Sequence, residues 1–567
     1  MKKILALFVV LFAFMHTFAQ DIPQYQAYNL VYDFIDELAG QGIIEVNSVV
    51  KPYSRMYIAE KLTEAAHQTS KLSKRQQDDL KFYLNDYAPE CGKLPDSKLV
   101  IWETDIHKAA FNQPAFHYVD PKFRAVIRPI LGMEITTNTS DKITKRWYGA
   151  EIQMMLGKHL SVFGSLRDIS VDGDTLASGR FLNDLPGYQY KESTKGGDYS
   201  DSRGGITYAN EWGSIGLVKD NPVWGDNYHG SNILSGRTPS FPMVKLQLKP
   251  AKWFQLDYFH GWLNSNVVDS TDYYEDNIGE RKYRDRPKYM AANMMTFTPI
   301  AKLNISLGNS IIYAESSVHA TYFIPIGFYK SMDHTLTKGA KIENQNSQVY
   351  FNISSRNINH LHLYASLFFD EVEMSRFKPS SKERNPVSYK LGFNLTGLPV
   401  QDLSLTGEFT RSNILTYKHS IPALTYASNG YNLGSYLGDN SQEIYLSLRY
   451  KPIRGLLLNL SYLNAEHGNE YSYIRQGHIV SNVISQPSLG DVIWSNSTFG
   501  LKATYELMNN TYAVINVQSS NIKGHDAKQT AIDGETRMTA AQALDYYTPK
   551  FLQGNKTVIT IGLSFGF

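Results

Sequence analysis

Residues 558–567 read Val-Ile-Thr-Ile-Gly-Leu-Ser-Phe-Gly-Phe. In an extended chain Ile559, Ile561, Leu563, Phe565 and Phe567 fall on one face, and Thr560, Gly562, Ser564 and Gly566 on the other. That pattern suits a strand with lipid on one side and a polar lumen on the other. An aromatic terminal residue suits the strand that closes an outer-membrane barrel and is read by the barrel assembly machinery.

The same period of two recurs upstream, from about Phe123 onward. Leu303, Ile305 and Leu307 alternate with Asn304, Ser306 and Gly308, and Tyr389, Leu391, Phe393 and Leu395 with Lys390, Gly392 and Asn394. Leu456, Leu458, Leu460 and Tyr462 repeat the pattern. Short turns are readable near Gly157-Lys158, Trp212-Gly213, Pro250-Ala251, Pro299-Ile300, Asn357-Ile358, 397–400, 452–455 and Asn509-Asn510. Eight such turns join sixteen strands, and one strand before the first turn plus the terminal one make eighteen. Between them lie long segments rich in Gly, Asn, Asp, Ser and Tyr, at 170–203, 221–241, 263–286, 314–342, 371–384, 412–440, 466–491 and 521–556. Short turns on one side and long loops on the other are the habit of outer-membrane barrels.

The first 95 residues follow other rules. Residues 1–20 begin with Lys2 and Lys3, continue through an apolar run at 4–14 and end in Thr17-Phe18-Ala19, the layout of a cleaved secretory signal peptide. Residues 21–95 read as a small helical periplasmic domain or plug: Leu30, Phe34 and Leu38 repeat at helical spacing, as do Ile58, Leu62 and Ala65, and Ser73 with Gln76 has capping-box spacing. Residues 96–121 read as a linker or extended segment, and 122–567 as the barrel. The predicted fold class is an all-β transmembrane barrel of about eighteen antiparallel strands with a small N-terminal α-helical periplasmic domain.

Composition supports this. Aromatic residues make up 13%, with 38 Tyr, as interfacial girdles require. No later segment approaches a helical membrane span. Without Lys2 and Lys3 the formal charge falls from +2 to 0, which gives no bulk attraction to nucleic acid. Cys91 has no partner cysteine in the chain.

The chain also resembles the Wzi-like capsule assembly family. Residues 32–44 read Tyr-Asp-Phe-Ile-Asp-Glu-Leu-Ala-Gly-Gln-Gly-Ile-Ile, and Pro52-Tyr53-Ser54-Arg55 leads into a helix. Residues 216–226 read Gly-Leu-Val-Lys-Asp-Asn-Pro-Val-Trp-Gly-Asp, followed by Ser235-Gly236-Arg237 and Phe241-Pro242. Phe259-His260-Gly261-Trp262-Leu263 and Phe323-Ile324-Pro325 complete the likeness. The resemblance implies an eighteen-stranded barrel with a periplasmic helical bundle. It also implies a surface lectin that helps retain capsular polysaccharide. A barrel in the outer membrane is expected to contact outer-membrane lipid and lipopolysaccharide.

Trp224, Asn227, Tyr228, His229 and Arg237 are the candidate polysaccharide contacts, because aromatic faces stack on sugar rings while Asn and Arg donate to hydroxyls or carboxylates. A lumen loop of purely structural purpose is an equal reading of that segment. Asp269, Asp272, Glu275 and Asp276 match no regular calcium loop and read as a solvated outer loop. Lys378, Lys382 and Arg384 read likewise. His260 is the least ordinary histidine, but no nucleophile or metal-ligand spacing accompanies it, so no catalytic residue, metal or cofactor is expected. The competing functions are a porin-like channel for small solutes or glycans and an outer-membrane hydrolase.

Overall fold

The computed structural model describes residues 21–26, 30–93, 95–96, 99–104, 107–112, 115–173, 191–193, 196–337, 344–370, 373–378, 380–381, 384–471, 488–528 and 537–566. Residues 1–20, which the sequence reads as a signal peptide, lie outside the described residues, as do Lys382 and Phe567.

Eighteen strands close a barrel. They are β1 (Phe123–Thr137), β2 (Lys142–Leu156), β3 (Leu160–Asp172), β4 (Gly196–Asn210), β5 (Gly213–Asp220), β6 (Phe241–Ala251), β7 (Phe254–Glu275), β8 (Arg281–Ile300) and β9 (Leu303–Tyr313). The second half comprises β10 (Gln345–Ile358), β11 (Leu361–Phe369), β12 (Val387–Thr396), β13 (Leu403–Ser412), β14 (Ser441–Tyr450), β15 (Leu456–Gly468), β16 (Val492–Met508), β17 (Thr511–Gly524) and β18 (Gly554–Phe565). Every pairing is antiparallel, and all eight short turns fall where Gly, Pro and Asn mark them in the sequence.

β18 pairs with β17 on one side and β1 on the other, in a register from Ile559↔Thr137 to Phe565↔Leu131. Ile561 and Leu563 are 58% and 57% exposed on the outer face, and Thr136 and Thr560 share a 3.0 Å hydrogen bond on the inner face. The alternation of the terminal segment therefore matches the two faces of the wall.

β18 leaves the first residues of β1 uncovered. There Ala115–Val119 pairs with β1, Lys108–Asn112 with that strand, and Leu99–Glu103 with the next. Directly paired residues share a face, so Ile127, Phe116, Phe111 and Leu99 form one row. The row continues the outer apolar surface of β1, where Ile127 and Leu131 are exposed.

The segment at 263–286 differs from the loop expected from composition. β7 and β8 run through it as a long hairpin that turns at 276–280. Val267, Val268, Thr271, Tyr273, Tyr274 and Tyr283 favour strand, and Tyr273 pairs with Tyr283 across it. Arg284 donates to Asp272 at 2.8 Å, and Lys282 lies 3.6 Å from Asp276. These carboxylates serve exposed cross-strand ion pairs, and no metal-binding cluster occurs among the described residues.

Three helices pack at the short-turn end: α1 (Leu30–Gly40), α2 (Arg55–Ala66) and α3 (Lys74–Asp86). Ser54 caps α2, and the Ser73/Gln76 capping box closes the start of α3. Phe34, Leu38, Ile58, Leu62 and Leu80 form their common core. Ion pairs fasten this bundle to the turns. Arg75 meets Glu37, Asp79 (2.6 Å) and Asp402 (2.6 Å), Lys451 reaches Glu37 at 2.9 Å, and Tyr83 donates to Glu506 at 2.8 Å. Burial alone would raise the Glu37 carboxyl, but Lys451 and Arg75 outweigh it and hold the group at about 2.

Candidate functional site

After α1 the chain enters the lumen. Val50–Lys51 pairs with Val223–Trp224, which pairs with Leu234–Ser235, so the connection between β5 and β6 is folded inward onto the N-terminal segment. Asn221 ties the loop's two ends, accepting from Arg203 at 3.0 Å and donating to the Thr238 carbonyl at 2.6 Å. Gly225 sits at φ +96°, where a Cβ would lie 2.8 Å from Ser231 Oγ, so only glycine passes this bend without strain.

Trp224 is 3% exposed, edge-on to Phe259 and Tyr350 at 5.2 and 6.1 Å between ring centroids. Tyr417, Leu424, Tyr426 and Leu433, from the connection between β13 and β14, join the same cluster. Two infolded loops and the N-terminal segment thus build an apolar core inside the barrel. Phe259, Tyr350 and Phe368 supply its wall.

The loop tip is held by charge. Tyr228 and His229 donate their backbone N–H groups to the Glu408 carboxylate at 2.7 and 3.1 Å, and Lys390 neutralises Glu408 at 2.8 Å. Asp226 accepts from Ser48 and, at 2.8 Å, from Asn352. The Tyr228 hydroxyl and His362 Nδ1 are 3.0 Å apart, and Asn227 donates to the Gly225 carbonyl at 2.7 Å. The His229 ring stacks on Tyr445 at 4.0 Å. Burial, then the nearby Arg237, Lys390 and Arg449, push its pKa well below the ordinary range, and its Nε2 lies 3.6 Å from the Glu443 carboxylate. Arg237 donates to the His229 carbonyl at 2.9 Å and lies over the Tyr436 ring at 4.3 Å, a cation–π contact.

Asn227, Tyr228, His229 and Arg237 line one side of a cavity of about 210 Å³, with Tyr25 and Pro52 opposite. Trp224 does not line it. On the other side of Arg237, toward the long loops, a second cavity of about 220 Å³ is lined by Tyr417, Lys418, Tyr431, Tyr436, Asp439, Glu470 and Tyr546. Loop composition flagged Tyr-rich connections as functional ground, but no spacing in the sequence brings these particular residues together. A third space of about 330 Å³ shares Asn227 and Tyr228 and follows the wall of β1, β2 and β14 to β18.

The remaining candidates lie elsewhere. His260 is buried in the wall, stacked on Phe323 at 4.3 Å and 3.0 Å from the Tyr313 hydroxyl. Lys378 and Arg384 are exposed on the connection between β11 and β12, and Cys91 is free and exposed.

No family model and no curated protein matches the chain. Solved structures do. Wzi, an outer-membrane protein involved in group 1 capsule assembly in Escherichia coli and a carbohydrate-binding β-barrel, superposes with a TM-score of 0.54 at 11% identity. The match covers 97% of this chain and all of that one. The fold is Wzi-like. Pseudomonas aeruginosa OccD3 (TM-score 0.40, 11% identity, 78% of this chain and 90% of that one) and OpdK solved with vanillate (0.41, 9%, 78% and 98%) are more distant matches. The chain therefore has the fold of an outer-membrane-type barrel, similar to Wzi over 97% of its length.

Proposed function

We propose that this protein is a non-enzymatic outer-membrane barrel that binds capsular or other surface polysaccharide at its outer rim and assists capsule assembly. The observation that carries the reading is the use of the long connections. Those between β5 and β6 and between β13 and β14 fold inward and pack around Trp224, and at the rim the connections leave a tyrosine-lined cavity beside Arg237. Aromatic rings with a few fixed polar groups are what a pyranose face needs. What is printed of Wzi, carbohydrate binding in capsule assembly, agrees with this chemistry. The helical bundle, on this reading, stands in the periplasm, because it covers the short-turn end.

The test combines three measurements. Purified protein in planar bilayers should show no large steady conductance, deletion of the gene should release capsule into the medium, and glycan-array binding should fall in Arg237→Ala. Steady conductance with unchanged capsule would sink the reading. The channel alternative rests on one feature, the chain of cavities linked through Asn227, Tyr228 and Arg237, and the conductance measurement separates it.

A further inference from the structure

The rim cavity is built from three connections. Tyr417, Lys418, Tyr431, Tyr436 and Asp439 come from the one between β13 and β14, Glu470 follows β15, and Tyr546 stands on the short helix Ala540–Tyr547 before β18. Its aromatic faces alone would accept any sugar. Its charges are arranged more narrowly.

Both of its strong cations are already engaged. Lys418 donates to Glu470 at 2.5 Å and to the Tyr471 carbonyl at 2.8 Å, and lies 3.6 Å from Asp439. Arg237 is spread over Tyr436 and bonded to the His229 carbonyl. The two carboxylates are equally committed. Glu470 also accepts from the Tyr547 hydroxyl, and Asp439 takes the Leu415 N–H at 2.9 Å. His467 spends its Nδ1 hydrogen on the Gly468 carbonyl at 2.7 Å. Two fixed cations therefore face two fixed anions, with every charged group held by a neighbour.

An anionic sugar that pairs with Lys418 must either displace Glu470 or sit beside two carboxylates, and one that pairs with Arg237 must draw it off the Tyr436 ring and the His229 carbonyl. Each costs more than an uncharged hydroxyl, which accepts and donates without moving the ion pairs. Against their burial, Asp439 and Glu470 favour the charged Lys418 ammonium, and Lys418 draws the Glu470 carboxyl below the ordinary carboxylate range.

We propose that the rim cavity recognises an uncharged stretch of polysaccharide, one or two neutral pyranose rings laid on Tyr431 and Tyr546, and discriminates against uronic acids and other anionic sugars. This rests on the polysaccharide-binding reading and narrows its ligand class. The size agrees: 220 Å³ falls short of the about 300–1,000 Å³ of pockets that enclose drug-sized ligands, so the site grips a short part of a longer chain.

The test uses full-length protein in detergent, with folding of each variant verified by heat-modifiable gel mobility. The probes are neutral oligoglucose, oligomannose and oligogalactose, set against oligogalacturonate of matched length. The wild type should bind at least one neutral series with an affinity insensitive to salt and should not prefer oligogalacturonate. Tyr546→Ala, a substitution at a 54% exposed position, should weaken neutral binding about fivefold through lost stacking. Glu470→Gln, which leaves Lys418 with Asp439 alone, should raise affinity for oligogalacturonate about fivefold in a salt-sensitive way. Salt-sensitive preference of the wild type for oligogalacturonate overturns the neutral assignment and leaves polysaccharide binding standing. Binding of no probe by a folded wild type overturns both. Neutral binding that survives Tyr546→Ala, with no gain in Glu470→Gln, overturns this cavity as the site.

Discussion

Replacing Glu37 with Gln removes one charge from the joint between the helical bundle and the barrel while keeping nearly the same shape. Glu37 is buried between Arg75, Lys451 and the Gln76 amide, which donates at 2.7 Å. Its carboxyl is drawn from an ordinary 4.5 to about 2, which at about 1.4 kcal/mol per pKa unit corresponds to about 3 kcal/mol of stabilisation of the docked state. Removing one partner of a buried pair costs about 3–5 kcal/mol, a figure of the same size. The sign follows from the direction of the shift: the stabilisation is complete above pH 4.5 and is lost as pH falls toward 2. Far-UV circular dichroism in detergent follows the helical signal of the bundle during heating, while gel mobility reports the barrel. Glu37→Gln should lower the helical midpoint by about 10 °C or more at neutral pH and flatten its dependence on acid. Equal midpoints and equal acid slopes in variant and wild type would refute the assignment of this joint to the Glu37 charge.

Deleting residues 562–567 removes four of the seven β18–β1 pairs, those of Gly562, Leu563, Ser564 and Phe565, so heat-modifiable mobility should be lost altogether. Trp224→Ala empties the centre of the lumen core at a cost of about 3–5 kcal/mol. The barrel should survive with its mobility intact, while planar bilayers should show new leak conductance. Trp102 is 51% exposed on the edge strand Leu99–Glu103, at the level of the short turns. If that sheet extends the lipid-facing wall, brominated phospholipid should quench a component of tryptophan fluorescence that Trp102→Phe removes. Quenching identical in the two proteins would place the sheet away from lipid.

The barrel is legible in the sequence because each of its requirements is local. Alternation states which face meets lipid, and Gly, Pro and Asn at the eight short turns state where the chain reverses. The Ser73/Gln76 capping box is legible for the same reason, since its partners are three residues apart. The hairpin at 263–286 is the exception. Its Asp and Asn content reads as loop, whereas the β-branched and aromatic residues among them pair across the turn.

The lumen is harder to read, because its packing joins residues that no local pattern connects. Loop composition groups Trp224 with Asn227, Tyr228, His229 and Arg237, yet its ring is given to Phe259 and Tyr350, inward positions on β7 and β10. A signal for a filled lumen was present in β8. There Met290, Ala292 and Met294, on the face that meets the Trp224 core, are apolar and buried, whereas the inner face of an aqueous pore would be polar. The rim cavity carries no such signal. Lys418 and Glu470 lie 52 residues apart and Tyr546 is on a third connection, so their meeting is a product of barrel closure. Filling the lumen and building the rim site are then one event. The connection that sends Tyr426 and Leu433 into the core also carries Lys418, Tyr431 and Tyr436. A change that frees this loop from the Trp224 cluster should therefore disturb the proposed polysaccharide binding and conductance together, and a variant that alters only one of them acts at the rim.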